Sequence, residues 1–593
     1  MFFKHKGFER KGTKVSLSCA QIISDFENQY LHERFLELQK LCDVGIPIKT
    51  FRILKSEDLI EEYSVEIDKE IRIYAGNLIS ALYALSDLKD MAVSDGLYQC
   101  SFTDKPVCGF RAYRAFLPSR SALCDFFRVM RMLTDFKYNA IILEVGGAME
   151  YKLHPEINKV WAGFATKMRK NSGQAVKIQY GYAWEKDSFH VDNAEGEVLS
   201  QDEIKKIVLK LQTMGLEVIP EVPTLSHSDY ICLAHPELAE RKEDPYPDTY
   251  CPSDERTYQI VFDILGEVLE VFQPKKVLIG HDEFYSMGLC EKCKGKDPVD
   301  LYVGDIVRIY RYLKDRGISV MMWGEKLLNA RRGEEKIGGA GVDRINEAGF
   351  HVTVPPLYKC AEKIPKDIMQ INWYWEFGAD LDQTYIDNHL PFVYGNLSGA
   401  EIDQWRKRLK GGVQGGIVSN WGGFGEETIQ RNLQLYALAS SSYLFWTEDY
   451  NSTDREKLHE KVAKTLYDRY LSLIPSRYRI EVLHTVTQQK PHKFFYDGEF
   501  ISGLDRIGDY KIEYKDGTVA KLEVSHGRNI GCILNKAGSK EWAETLYSTL
   551  PCKVEEKMFY KTVFRNPCPE KEILGICFQA DKGKENLIDY KIL

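Results

Sequence analysis

The apolar run Lys276-Val277-Leu278-Ile279 ends in Gly280-His281-Asp282-Glu283, placing two adjacent carboxylates where a buried strand would emerge. Such a pair can divide labour over one bound sugar when the surroundings separate the two pKa values: one acid carries a proton and the other stays anionic. Acidic dipeptides also cap helices and fill solvated loops, so the pair gains meaning only from its neighbours. Other apolar runs end in Pro220-Glu221-Val222-Pro223-Thr224-Leu225-Ser226-His227, Trp323-Gly324-Glu325, Trp373-Tyr374-Trp375-Glu376, Tyr394-Gly395-Asn396 and Trp421-Gly422-Gly423-Phe424-Gly425-Glu426. Tryptophan after three such runs, each time beside a polar group, suits a carbohydrate. The flat apolar face of a pyranose packs on an indole while acidic side chains bind its hydroxyls.

For these ends to meet, the runs must be staves of one sheet. From about residue 109 short apolar segments alternate with amphipathic helices, and eight segments read as strands: Tyr113–Leu117, Ala140–Val145, Glu217–Val222, Lys276–Ile279, Ser319–Trp323, Met369–Trp373, Phe392–Asn396 and Gly416–Asn420. Between them, Ser200 and Glu203 form a capping box ahead of the stripe Ile204, Ile207, Val208, Leu211 and Met214, which Gly215 ends. Tyr258, Val261, Ile264, Leu265, Val268, Leu269 and Phe272 form a second stripe. Eight continuous apolar strands alternating with helices predict an α/β chain built on a (β/α)8 TIM barrel, whose active site lies at the C-terminal strand ends. An open doubly wound sheet is the alternative, but no glycine-rich phosphate loop follows the first strand.

Before the barrel, Tyr63, Val65 and Ile67 alternate up to the turn Asp68-Lys69-Glu70, and Ile71, Ile73 and Ala75 alternate away from it. With the helical spacing of Ala81–Leu88, this predicts an N-terminal α+β domain over 1–105 and the barrel over 106–445. A polar helical extension over 446–489 and a β-rich accessory domain over 490–593 follow. The last is read as a sandwich from the hairpin around Asp516-Gly517.

The chain has 593 residues, too many for one small fold, and its net charge of −8 offers no basic footprint for nucleic acid. No segment approaches the roughly 20 apolar residues of a membrane span. The basic start lacks a sustained apolar stretch, so no secretory leader is read. The 14 cysteines are then expected as reduced thiols in a cytoplasm.

Beyond these patterns there is a family resemblance. Tyr250-Cys251-Pro252-Ser253-Asp254-Glu255-Arg256-Thr257-Tyr258, Val271-Phe272 and Leu278-Ile279-Gly280-His281-Asp282-Glu283 resemble glycoside hydrolase family 20, the β-N-acetylhexosaminidases. Pro220-Glu221 with Ser226-His227 is similar to that family's strand-three motif, and Tyr113-Arg114-Ala115 to its strand-one arginine motif; the likeness spans roughly 60–445. It implies retaining, substrate-assisted hydrolysis of a terminal β-linked GlcNAc or GalNAc from an oligosaccharide or glycoconjugate, with no cofactor. The acetamido oxygen of the substrate attacks the anomeric carbon, so the enzyme supplies no nucleophile. Glu283 would then be the acid and later the base, Asp282 the anion beside the acetamido group, and Tyr394 the hydrogen-bond partner of its oxygen. Trp323, Trp373 and Trp421 would wall the pocket. Arg114 and Glu426 would bind sugar hydroxyls, with Arg111 and Glu427 competing for those two roles. His227 is a structural histidine or, near Glu221 and Glu283, a group that tunes the acid.

Departures from the family pattern bear on the substrate more than on the reaction. Leu278 stands for the usual histidine and His281 for the second glycine of His-x-Gly-Gly-Asp-Glu, Leu225-Ser226 replace Pro-Gly, and Trp-x-Glu is stretched to Trp421…Glu426. No acidic partner after strand two is obvious in Glu144-Val145-Gly146-Gly147. A same-barrel glycosidase of altered sugar preference and a non-catalytic glycan binder are the alternatives; the intact Asp282-Glu283 with Tyr394 argues against the binder. Cys290-Glu291-Lys292-Cys293 is half of a zinc site, with Cys251, Cys232 or His281 as candidate partners. Two free thiols and no catalytic metal are the expectation.

Overall fold

Buried strands need apolar side chains on both faces, and the eight segments that have them close into a parallel barrel in the computed structural model. The structure describes residues 6–593 except 172, 426–427, 430–431, 473, 475, 488–505, 527–528, 537–548 and 585–587. In chain order the barrel strands are Phe110–Phe116, Ala140–Glu144, Glu217–Thr224, Lys276–Gly280, Ser319–Trp323, Met369–Asn372, Phe392–Tyr394 and Gly415–Ser419. The last pairs with the first, from Gly415 with Phe110 to Ser419 with Arg114. All eight correspond to the expected segments, with ends shifted by a few residues.

The barrel interior is filled from every strand, by Ala112, Ile142, Ile219, Leu278, Met321, Ile371, Val393 and Ile417. Leu278, which stands in place of the family's histidine, is thus a core residue. The capping box is present: Ser200 Oγ accepts from Glu203 N–H, and Glu203 Oε2 accepts from Ser200 N–H. The helix Gln201–Thr213 is followed by Gly215 at φ +83°.

The N-terminal part is a seven-stranded mixed sheet that contains the expected hairpin, Tyr63–Ile67 against Ile71–Ala75, with Ile67 opposite Ile71. Helix Leu78–Ser94 covers it and carries Asp87, which with Asp104 meets the buried Lys137 of the barrel at 2.9 and 3.0 Å.

At the other end lie a four-stranded and a three-stranded antiparallel sheet sharing one apolar core that includes Val482, Tyr510, Ile512 and Val524. Gly517 turns the expected hairpin at φ +85°. One strand of the four, Arg479–Val486, lies inside the stretch read as helical. Buried Ile480, Val482 and His484 alternate along it and pair it with Lys557–Arg565, so sheet pairing outweighs its proximity to helix Arg455–Ser472. Among the described residues no helix is long and apolar enough to cross a membrane.

Candidate active site

The fourth strand leaves the barrel through an unusual backbone: Gly280, His281 and Glu283 have φ of +76°, +71° and +43°. Positive φ costs energy in any residue with a Cβ, so surrounding contacts must hold it. For His281 they do. Its Nε2 lies 2.8 Å from Asp305, its Nδ1 3.1 Å from Thr224 Oγ1, and its carbonyl accepts from the Tyr302 hydroxyl at 2.9 Å. The family's glycine at this position is therefore replaced by a histidine pinned from three sides, and His281 is committed away from Cys290 and Cys293.

This turn delivers Asp282 and Glu283 to one cavity of about 460 Å³, whose wall also carries Trp323, Trp373 and Trp421. Asp282 is nearly sealed, with 10% of its side chain exposed, whereas Glu283 retains 29%. Glu283 also faces a second recess of about 550 Å³ that contains Arg332, Lys336 and Arg344. It therefore stands on the partition between two spaces.

Each tryptophan is fixed by its indole N–H. Trp323 donates to Glu221 at 3.0 Å, Trp373 to Glu325 at 3.2 Å, and Trp421 to Asn396 at 3.0 Å. Glu325 also accepts the Glu283 backbone N–H at 2.8 Å, so one buried carboxyl connects an aromatic wall to the acid's backbone. Burial pushes Glu325 up to about 7.

Two histidines stack beneath Asp282, with ring centroids 4.2 Å apart. His227 Nε2 lies 3.5 Å from Asp282 and 3.6 Å from Glu283, while its Nδ1 faces the Ser188 carbonyl at 3.0 Å. Burial alone would lower the His227 pKa, but the carboxylates around it, Asp282 first, then Asp187 and Glu283, together outweigh burial and hold this imidazole well above its ordinary value. Asp282 is the converse: burial would raise it, and His227 holds it below the usual carboxylate range. His190 is pushed well below the ordinary histidine value by burial and by the His227 charge. The stack therefore holds one cation and one neutral ring. His190 Nδ1 is 3.0 Å from Glu144, and its buried Nε2 has no partner among the described residues, on a ring that lines the cavity.

The raised His227 pKa makes a stability prediction. In the unfolded chain the ring titrates near about 6.5, so its stabilising pairing is complete below that pH and disappears as pH climbs through the higher folded value. Wild-type protein should lose melting temperature on the alkaline side, and His227→Gln should show a smaller loss over the same range. Parallel alkaline profiles would remove the His227–Asp282 pair as a source of stability.

Two expected sugar contacts are placed elsewhere. Tyr394 is fully buried; its hydroxyl donates to Asp382 at 2.5 Å and accepts from Arg408 at 3.1 Å. Val393 takes the inward position of this strand, so period-two alternation turns Tyr394 toward the outer helices and off the cavity wall. Arg114 is also fully buried, with its guanidinium 3.7 Å from the Trp421 ring centroid and no place on the cavity wall. It donates to Glu221 at 2.6 Å and to Glu144, so it braces the strand ends and does not reach the sugar space. Glu144 is the strand-two acid that the sequence did not reveal. Burial pushes Glu144 and Glu221 to about 7 despite Arg114.

Arg111 lies at the opposite end of its strand, donating to Glu61 at 2.8 Å and to the Tyr83 hydroxyl at 2.8 Å. Glu426 and Glu427 lie outside the described residues. Asp187, which accepts the His227 backbone N–H at 3.3 Å, is a site residue the sequence did not point to, as are His190 and Asn396. Asp187 and His190 come from the long segment after strand two, which has no period to read, whereas Asn396, two residues past the seventh strand, had the signal of a polar group at a strand end.

Residues 148–341 match the model of the glycosyl hydrolase family 20 catalytic domain. A β-hexosaminidase of Akkermansia muciniphila is 19% identical over 416 residues, covering 61% of this chain and 78% of that protein. The crystal structure of a β-N-acetylhexosaminidase from Bacteroides fragilis superposes with a TM-score of 0.56 at 16% identity, covering 79% of this chain and 95% of that one. An exo-β-N-acetylglucosaminidase from Vibrio harveyi, solved with N-acetylglucosamine, gives 0.56 at 14% identity and covers 80% and 78%.

Proposed function

The barrel belongs to glycosyl hydrolase family 20, and on that premise we propose that the protein is a retaining exo-β-N-acetylhexosaminidase acting on terminal β-linked GlcNAc or GalNAc. One observation carries the reading: Asp282 and Glu283 share a cavity wall with three tryptophans, and Glu283 alone of the two acids also faces the adjoining recess. A sugar ring held among the indoles places its glycosidic oxygen at that partition, with the leaving group beyond it.

The chemistry follows from the charges. Asp282, kept anionic by His227, lies where a positive charge grows as the acetamido oxygen closes on the anomeric carbon. A fixed anion there acts on the transition state more than on the bound substrate. Glu283 donates its proton to the departing oxygen, then removes one from the water that opens the ring intermediate. Asn396 has its Oδ1 engaged by Trp421, leaving its amide N–H groups as donors to a substrate oxygen in the position first read for Tyr394.

A panel of p-nitrophenyl β-glycosides tests the assignment. Release from the GlcNAc or GalNAc glycoside and not from the glucoside is expected, with a thiazoline mimic of the cyclised intermediate binding far tighter than free GlcNAc. Turnover of the glucoside with none of the acetamido sugars would overturn it. Tyr394→Phe should leave kcat within about tenfold of wild type while lowering stability by about 1 kcal/mol, the usual worth of a buried hydrogen bond. A far larger loss of kcat would return Tyr394 to the substrate. Placement in the cytoplasm, where the cysteines would stay reduced, belongs to the same proposal; cell fractionation checks it.

A further inference from the structure

Four buried side chains outside the sugar cavity converge on one point: Glu240, Cys251, Cys290 and Cys293, with one ligand atom from each lying within 4.8 Å of all the others. Glu240 and Cys251 come from the segment after the third barrel strand, and the two other cysteines from the loop that begins at Asp282-Glu283. Cys251 Sγ lies 3.2 Å from Cys290 Sγ and 3.5 Å from Cys293 Sγ. Those separations are far beyond the disulfide length of about 2.05 Å. They fall a few tenths of an ångström short of the about 3.8 Å that separates two sulfurs on a tetrahedral zinc with bonds of about 2.3 Å.

The carboxylate supplies an independent observation. Glu240 is 1% exposed; its Oε1 accepts the backbone N–H groups of Leu289 and Cys290 at 2.6 and 3.4 Å, and its Oε2 is buried with no hydrogen-bond partner among the described residues. A buried carboxylate oxygen without a hydrogen-bond partner, set among three thiols, is a group that a bound cation would satisfy. The backbone is shaped accordingly: Cys293 N–H and Lys294 N–H both fold back on the Cys290 carbonyl, at 3.0 and 2.8 Å, bringing the two loop sulfurs to one side.

We propose that Cys251, Cys290, Cys293 and Glu240 bind one structural zinc ion, closed to water, that fastens the loop leaving Glu283 to the loop after strand three. Three sulfurs and one oxygen favour zinc over the hard cations, which seek oxygen. The other two partners considered from the sequence are excluded: Cys232 is absent from the cluster, and His281 is held by Asp305 and Thr224.

The full chain, purified without chelator or affinity histidines, should contain close to one zinc per molecule by elemental mass spectrometry. X-ray absorption at the zinc edge should show three sulfur ligands and one oxygen, and cobalt exchanged into the site should give thiolate charge-transfer and tetrahedral ligand-field bands. Glu240→Gln should weaken retention against a competing chelator, and Cys251→Ser should abolish it, while His235→Ala, in the separate group of half-buried His154 and His235 with exposed Glu156, should change nothing. These readouts do not involve sugar turnover, so they stand or fall apart from the proposed activity. Metal-free protein after growth in zinc, a native mass lighter by two hydrogens from a disulfide, or zinc with no sulfur neighbours would each overturn the proposal. If Cys251→Ser does not fold, the absorption spectrum of the native protein decides alone.

Discussion

Glu283→Gln is expected to lower kcat/KM for an aryl β-N-acetylhexosaminide by roughly 10²–10⁴-fold, the usual worth of a positioned acid–base group. The amide is nearly isosteric but can neither give a proton to the leaving oxygen nor take one from water, so KM should change far less than kcat. The loss should grow with the basicity of the leaving group. A p-nitrophenolate departs with little help, whereas a sugar alkoxide needs the proton, so a disaccharide should suffer more than the chromogenic substrate. Equal losses across leaving groups would mean that Glu283 does not act as the acid. The position of the side chain supports the steeper dependence, because it faces both the indole-walled cavity and the recess beyond it.

Asp282→Asn should cost roughly 10²–10³-fold in kcat, the scale of removing one preorganised electrostatic group from a water-poor site. Here the effect should be insensitive to the leaving group and sensitive to the acetamido substituent, since the anion stabilises charge on the closing ring. The substitution has a second consequence. Asp282 is the largest of the groups that raise the His227 pKa against burial, so without its charge the imidazole pKa must fall. The alkaline loss of stability should therefore move to lower pH in Asp282→Asn, by the linkage that ties a raised histidine pKa to stability below it. Retained turnover, or an unmoved pH profile of melting, would separate Asp282 from the reacting centre.

The barrel was legible in the chain, because strands buried on both faces must be written as continuous apolar runs and helices as stripes of period 3.6. So were the Asp282-Glu283 pair and the three tryptophans, since these follow directly on runs that could be read as strands. Which way Tyr394 faces was not legible there and follows from packing. Its alternation with Val393 was legible, but the choice of inner face was not, because closure of the barrel sets it. The same holds for Arg114, whose two carboxylate partners are 30 and 107 residues away along the chain. His190 and Asp187 lie in a segment with no repeating pattern, and Glu240 and Cys251 lie about 40 to 50 residues from the cysteine pair they meet. Periodicity is a local property that short windows of sequence carry, whereas convergence of loops depends on how distant strand ends are ordered around a closed sheet.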